Sequence, residues 1–393
     1  MNMNNKNWVS VWGNAVSIAE HHPEAYAKYI TLRYPVYIPF DGDTLRFTFD
    51  NFCGSEAVTV TRATVSAATS PVYEKMPLAC PCKKETICDI TFSKNESVTM
   101  EAHQTAVSDP VSFPVKKGMT LTVSLYFADF TLMQSAVLVT GPLSKGFFSL
   151  GDQTHADALP MDTTKTTNWF YFLSNIELMT AEENHTVICY GDSITAGAWP
   201  DYLTLLAKQN PDNHTAFIRR ATSGSRVLRQ YECITYDSYG LKGTNRFPHE
   251  IPTTGADTVI IQQGINDIIH PIGIETNPFR PMSDLPTAKE LIDGYRYYIE
   301  EAKKLHLKVY MGTLLPIFGW RTYATFRDDL RNELNAWIRS AKEIDGCIDF
   351  DLALRGSENP SAFREGFDSG DHLHPSSKAY QAMAECAYEV LQR

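Results

Sequence analysis

Apolar residues recur at every second position through much of the first part of the chain, and the period changes partway along. Leu45, Phe47 and Phe49 alternate with Thr44, Arg46, Thr48 and Asp50; Val58 and Val60 flank Thr59; Leu121, Val123, Leu125 and Phe127 alternate with Thr120, Thr122, Ser124 and Tyr126. Successive side chains of a strand point to opposite faces, so this pattern predicts half-buried antiparallel strands. Turn formers lie between them, at Asp41-Gly42-Asp43, Cys53-Gly54-Ser55 and Lys117-Gly118. Several short strands with little helical signal predict an antiparallel β-sandwich, jelly-roll-like, over residues 1–180. The apolar stretch from Trp169 to Leu173, with Ile176 and Leu178, is too hydrophobic for a free linker. It is expected to be a last strand of the first domain or a buried clasp.

From residue 184 onward, short apolar runs (HTVICY, TAFIRRA, DTVIIQQ, LKVYMGTLLP) are separated by helical patterns. Thr287 and Glu290 form a capping box, followed by Leu291, Ile292, Tyr295, Tyr298, Ile299 and Ala302 on one face. Phe326, Leu330, Leu334, Trp337 and Ile338 suggest a second helix face, and Tyr380, Met383, Ala387, Val390 and Leu391 a third. Alternating strands and helices predict an α/β domain over residues 181–393, a parallel sheet with helices on both faces.

Charge narrows the partners. The formal net charge is -11, which argues against a broad nucleic-acid footprint. No apolar run reaches the roughly 18–20 residues needed to span a bilayer, and the N-terminus lacks the parts of a secretory signal, so the chain reads as cytoplasmic with no membrane partner. Eight cysteines are too few for a disulfide scaffold; Cys80, Cys82 and Cys88 have no usual zinc-ligand spacing and read as free thiols in a loop.

Four stretches carry candidate chemistry. In VICYGDSITAGAWPDYL, Ser193 follows a buried strand, at the sheet edge where ligands of open parallel sheets bind. A serine there also commonly caps a turn. In SGDHLHPSSKAY, Asp371 and His374 are three residues apart. A turn between them lets the carboxylate take the imidazole's Nδ1–H, which fixes the tautomer and leaves Nε2 as a base. His372, between them, is expected to point elsewhere. In VIIQQGINDIIHP, Asn266 offers an amide donor at a strand end, and in IRRATSGSRVL the flexible Gly224 offers a backbone N–H.

Taken in order, GDSI, SG, GxND and DxxHP resemble the SGNH hydrolases, also called the GDSL esterase/lipase family, over about residues 185–393. The resemblance implies a flavodoxin-like three-layer α/β/α fold on a five-stranded parallel sheet. It implies a serine esterase with Ser193 as nucleophile, His374 as base and Asp371 as its orienting acid. Ser193 N–H, Gly224 N–H and the Asn266 side chain would form the oxyanion hole, with no metal or organic cofactor required. One departure is Ile265, where the family often has threonine. Relatives with an added β-sandwich often act on acylated sugars, so the expected substrate is a short acyl ester, acetyl first, on a small molecule or oligosaccharide. The added domain would bind carbohydrate or shape the cleft, although Tyr34, Tyr37 and Phe40 suit core packing better than sugar stacking. Residues 235–250, 270–283 and 316–323 are expected to line the cleft. They lack a continuous aliphatic stretch, which favours a polar substrate over the alternative, a lysophospholipase or thioesterase acting on lipid acyl groups. A third alternative, a non-catalytic carbohydrate-binding protein, sits poorly with an intact set of reactive residues.

Overall fold

The structure, a computed structural model, describes residues 6–19, 26–74 and 76–392. The first five residues and residues 20–22, on which part of the N-terminal reading rests, lie outside the described residues. The chain divides into two compact units, Met1–Thr186 with Pro211–Ile218, and Val187–Asn210 with Arg219–Arg393.

The first unit is rich in antiparallel strands. One sheet runs in the order Lys6–Gly13, Leu173–Ala181, Gly42–Asp50 and Thr105–Val107, with Val111–Val115 also on Gly42–Asp50. A six-stranded sheet runs Lys165–Thr167, Gly146–Leu150, Ile30–Tyr37, Thr120–Phe127, Arg62–Ala67 and Cys88–Ile90. The alternation in Gly42–Asp50 holds through Phe49, with Leu45, Phe47 and Phe49 buried and Thr44, Arg46 and Thr48 half-buried; only Asp50 breaks it, being buried too. The apolar stretch expected as one last strand is two: Trp169–Tyr171 pairs with Ser135–Leu138, and Leu173–Ala181, with Ile176 and Leu178, lies between two others in the first sheet.

Thr120–Phe127 departs from the expectation of a half-buried strand, because all eight of its residues are buried. Its polar side is matched by polar partners. Thr122 and Ser66 hydroxyls are 2.6 Å apart, and Arg33 Nε donates to Ser124 Oγ at 2.9 Å. Arg33 is 1% exposed and also donates to the carbonyls of Cys80, Gln153 and Ala156. Buried polar groups are tolerated when bonded in this way, and an alternating sequence then no longer means one wet face. Tyr34, Tyr37 and Phe40 are buried too. Cys80 and Cys82 are buried free thiols, and Cys88 opens a strand.

The C-terminal half of the chain forms a five-stranded sheet in the order Thr215–Ala221, His185–Gly191, Ala256–Gln262, Lys308–Gly312 and Gly346–Ile348, which in chain order is 2-1-3-4-5. The last three strands pair in parallel. The fifth strand, only three residues long, was not among the apolar runs. Among the described residues, eight α-helices follow the strands: α1 (Ser193–Ala196), α2 (Trp199–Lys208), α3 (Gly243–Glu250), α4 (Ile265–Ile269), α5 (Ala288–Lys304), α6 (Thr325–Ser340), α7 (Phe350–Leu354) and α8 (Ser377–Leu391). They fall into two groups: α8 packs on α2 and α7, whereas α5 packs on α3 and α6, and α6 on α4. The Thr287–Glu290 capping box opens α5. Just ahead of α2, a side chain on Gly197 would lie 2.2 Å from the Tyr380 hydroxyl of α8, so any larger residue there would have to displace that ring.

α6 corrects another expectation. Phe326 is exposed and Trp337 half-buried, and the buried face is Arg327, Asp328, Arg331, Leu334, Asn335 and Ile338. The backbone just beyond the Lys308–Gly312 strand explains the polar share. Leu314 N–H donates to Asn335 Oδ1, and the Leu314 carbonyl accepts from Asn335 Nδ2 and Arg331. Arg331 in turn is held at 2.7 Å by both Asp328 and Asp351, and Asp351 also accepts from Arg339. Removing one partner of a buried pair costs about 3–5 kcal/mol. Asp351→Ala should therefore lower stability by about 3 kcal/mol in urea unfolding. A loss below about 1 kcal/mol would mean that Asp328 alone suffices to neutralise Arg331.

Candidate active site

The carboxyl ends of the first three strands of the parallel sheet lead into three of the candidate residues, Ser193, Gly224 and Asn266. His185–Gly191 ends at Gly191, and Asp192 caps α1, its carboxyl accepting the Ile194 N–H at 3.1 Å. Ser193 opens α1 and is half-buried. Its Oγ lies 2.9 Å from His374 Nε2.

Asp371 and His374 share the turn before α8. The Nδ1–H of His374 donates to Asp371 Oδ2 at 2.6 Å. Asp371 Oδ1 accepts the backbone N–H groups of His374 and Leu373 and the Ser369 hydroxyl. Burial works against this carboxylate, but the bonds from His374 and Leu373 outweigh it and pull its pKa down to about 2. His372 turns away, with a positive φ of 65°, and its Nδ1 pairs with Asp368 at 2.5 Å.

Gly224 lies in the loop after Thr215–Ala221. Its φ is +77°, and a side chain there would come within 2.3 Å of the Tyr239 ring. Both facts demand glycine. Thr222 N–H donates to the Gly191 carbonyl at 3.1 Å, which joins this loop to the strand end bearing Ser193. Asn266, in α4, is buried and donates from Nδ2 to the Ser225 carbonyl at 3.1 Å. The structure thus lines up Ser193, His374 and Asp371 directly, and ties Asn266 to the residue after Gly224.

Sequence reasoning passed over Asp267. Its two carboxyl oxygens accept the backbone N–H groups of Val227 and Leu228 at 2.8 and 3.1 Å, which pins the loop beyond Gly224. Burial raises its pKa to about 6 despite those bonds. The signal was present, since a carboxylate inside the run Ile265–Ile269 requires buried partners. Tyr231, Tyr239, His270 and Arg280 were named only within loop stretches or not at all. Half of the expected loop 235–250 is in fact α3, where Arg246 pairs with Glu250 and donates to the Gly191 carbonyl at 2.8 Å. Arg327 of α6 donates to the carbonyls of Ile268 and Pro271, fixing the end of α4.

Asp192 is fully buried, and burial above all, with the Asp267 carboxyl nearby, raises its pKa to about 7. The reference value is about 3.9. Between these values the unfolded chain ionises while the folded one keeps its proton, so this group makes the fold less stable as pH rises through that window. Asparagine caps a helix equally well and does not ionise. The melting temperature of Asp192→Asn should gain on the wild type as pH goes from 4 to 8. A difference that is flat or falls with pH would contradict the buried protonated acid.

Residues 189–382 match the family model of the GDSL-like lipase/acylhydrolase family. No curated protein matches the chain. Among solved structures, a putative acylhydrolase from Bacteroides fragilis is 20% identical, over 53% of this chain and 86% of that one, with a TM-score of 0.39. A GDSL-like lipase from Bacteroides thetaiotaomicron is 20% identical over 54% and 89%, with a TM-score of 0.40. An acetylxylan esterase from Geobacillus stearothermophilus is 16% identical over 52% and 93%, with a TM-score of 0.39. Among the described residues no helix is long and apolar enough to cross a membrane. With a strand-rich region ahead of it, this chain carries a GDSL-like lipase/acylhydrolase domain at residues 189–382, which makes it a carboxylic ester hydrolase.

Proposed function

We propose that this chain hydrolyses short acyl esters, acetyl first, on a carbohydrate, through an acyl-enzyme in which Ser193 is the nucleophile, His374 the base and Asp371 its orienting acid. The observation that carries this reading is the relay of two hydrogen bonds, Ser193 Oγ to His374 Nε2 at 2.9 Å and His374 Nδ1 to Asp371 at 2.6 Å. His374 Nε2 takes the hydroxyl proton as Oγ bonds to the ester carbonyl carbon. The carbonyl electron pair moves onto oxygen, and Ser193 N–H, Gly224 N–H and Asn266 Nδ2–H hold the oxyanion. Collapse breaks the bond to the leaving alcohol, which takes the proton from His374. Water, deprotonated by His374, then attacks the acyl carbon; as the acyl–Oγ bond breaks, Ser193 Oγ takes that proton from His374 and the acid leaves. Asp371, held at about 2, stays ionised throughout and stabilises the imidazolium. The Asn266 amide has two hydrogens; the Ser225 carbonyl takes one and fixes the amide plane, leaving the other as a donor.

The residues around Gly224 favour a compact polar substrate. Tyr239 and His270 stand there, rings with polar tips rather than an aliphatic wall. A long acyl chain would bury against them without matching their polar atoms. The two large antiparallel sheets of the first unit are read as the faces of a jelly-roll-like sandwich with a carbohydrate-binding role. The aromatics that suit such a role are Tyr29 and Phe130, 57% and 73% exposed.

Ser193→Ala should reduce hydrolysis of nitrophenyl acetate to background, and a serine-directed phosphonate should label the wild type at Ser193 but not the variant. Turnover surviving in Ser193→Ala would remove it as nucleophile. Asn266→Ala should cost about 3 kcal/mol, expressed in kcat rather than KM. His374→Ala should be at least as damaging and His372→Ala far milder; equal losses would reassign the base.

A further inference from the structure

Next to Gly224 and Asn266 the second unit buries a group of polar side chains that this mechanism does not use. The Tyr239 ring, which fills the space a side chain at position 224 would need, lies 5.2 Å from the His270 ring. His270 follows Asn266 by one helical turn, its N–H donating to the Asn266 carbonyl at 3.2 Å. Tyr231 is 5.8 Å from His270 and 5.7 Å from Tyr239. Arg226 lies over the Tyr231 ring at 4.3 Å, and Arg280 over Tyr236 at 4.4 Å, with Tyr231 within 5.8 Å.

Inside this group, Tyr231 Oη, His270 Nδ1, Arg226 Nε and Arg280 Nε are buried without a hydrogen-bond partner, as is the nearby Trp320 Nε1. Thr322, two residues after Trp320, donates to the Ile269 carbonyl, which brings that loop to the same place. Charge is not balanced either. Arg226 is paired with Asp284 at 3.1 Å. Arg280 is only 6% exposed, and no carboxylate of the described residues pairs with it. Burial, with Arg280, Arg226 and Arg321 nearby, holds His270 well below its ordinary pKa, so the ring is neutral and adds no charge of its own. A buried arginine without an acid, among orphaned donors, is costly unless something supplies the missing acceptors. One face of its guanidinium is taken up by Tyr236, and the free edge is a fork suited to a planar anion.

We propose that this wall is a subsite for a carboxylate, with Arg280 as its anchor, and that the esters cleaved here carry that carboxylate close to the scissile acyl group, as an acetylated uronic acid does. The proposal rests on the esterase reading above and specifies its substrate class. An aliphatic chain in the same place would leave every one of these polar atoms unmatched. A sulfate or phosphate is the competing anion, since a guanidinium fork binds its oxygens in pairs as well, and the sulfate arm of the test separates it from the carboxylate.

The test uses the full chain and three acetylated methyl glycosides matched except at C6: the uronate, the neutral hexose and the hexose 6-sulfate. Acetate release should give the uronate a kcat/KM about tenfold or more above the neutral sugar, the size of one charge-assisted hydrogen bond. In Arg280→Gln that ratio should fall towards one, and in Arg280→Lys, which keeps the charge but not the fork, it should fall part of the way. Equal wild-type rates on uronate and neutral sugar would overturn the proposal, with no variant needed. So would an unchanged ratio in an Arg280→Gln protein that keeps its wild-type circular dichroism. Preference for the sulfate over the uronate would overturn the carboxylate assignment. Failure of the esterase reading itself looks different, as no acetate would be released from any of the three or from nitrophenyl acetate.

Discussion

Two backbone amides in the loop beyond Gly224, those of Val227 and Leu228, have no strand to bond to, and the buried carboxyl of Asp267 bonds both. Its neighbour Asn266 works in the opposite sense, donating to the carbonyl of Ser225. Two adjacent residues of one short helix therefore grip the same loop by its acceptor and its donors. The left-handed turn at Gly224 is held just upstream of that grip. The cost is visible in the carboxyl, pushed up to about 6 by burial. A loop fixed this firmly is what an oxyanion site requires, because donors that must reorganise during the reaction stabilise little.

What the sequence made legible was local. Asp371 and His374 are three residues apart, so one turn joins them whatever the remainder of the chain does. The capping box of α5 and the alternation in Gly42–Asp50 are likewise contained within a few residues. The illegible parts all depend on partners far away in the chain. Thr120–Phe127 looks amphipathic, yet its polar side faces Ser66 and Arg33. α6 hides arginine and aspartate because Leu314 and Asp351 need them. The wall of Tyr231, His270 and Arg280 brings together segments that no spacing rule connects.

Buried arginines recur as joints in both units. Arg33 gathers three carbonyls in the first. In the second, Arg246 holds Gly191 and Arg331 holds Leu314, each just past or at a strand end. A guanidinium reaches several acceptors at once with a fixed geometry, which suits positions where backbone carbonyls leave a sheet and find no strand. Against this background Arg280 stands apart, since the face of its guanidinium lies over aromatic rings and its edge holds no carbonyl of the described residues.

The acid and the proposed base travel together. Asp371 binds both the ring and the backbone N–H of His374, so the imidazole keeps its orientation however the turn as a whole is placed. What remains adjustable is the gap to Ser193, and that gap is spanned by two helices: α2, downstream of the serine, and α8, downstream of the histidine, which pack on each other. Gly197, whose N–H donates to the Ser193 carbonyl just ahead of α2, faces the Tyr380 hydroxyl of α8. The close approach of these two pieces of backbone is therefore one of the contacts on which the Ser193–His374 distance depends. A bulkier or thinner spacer there would shift that distance while leaving the Asp371–His374 pair in its own geometry.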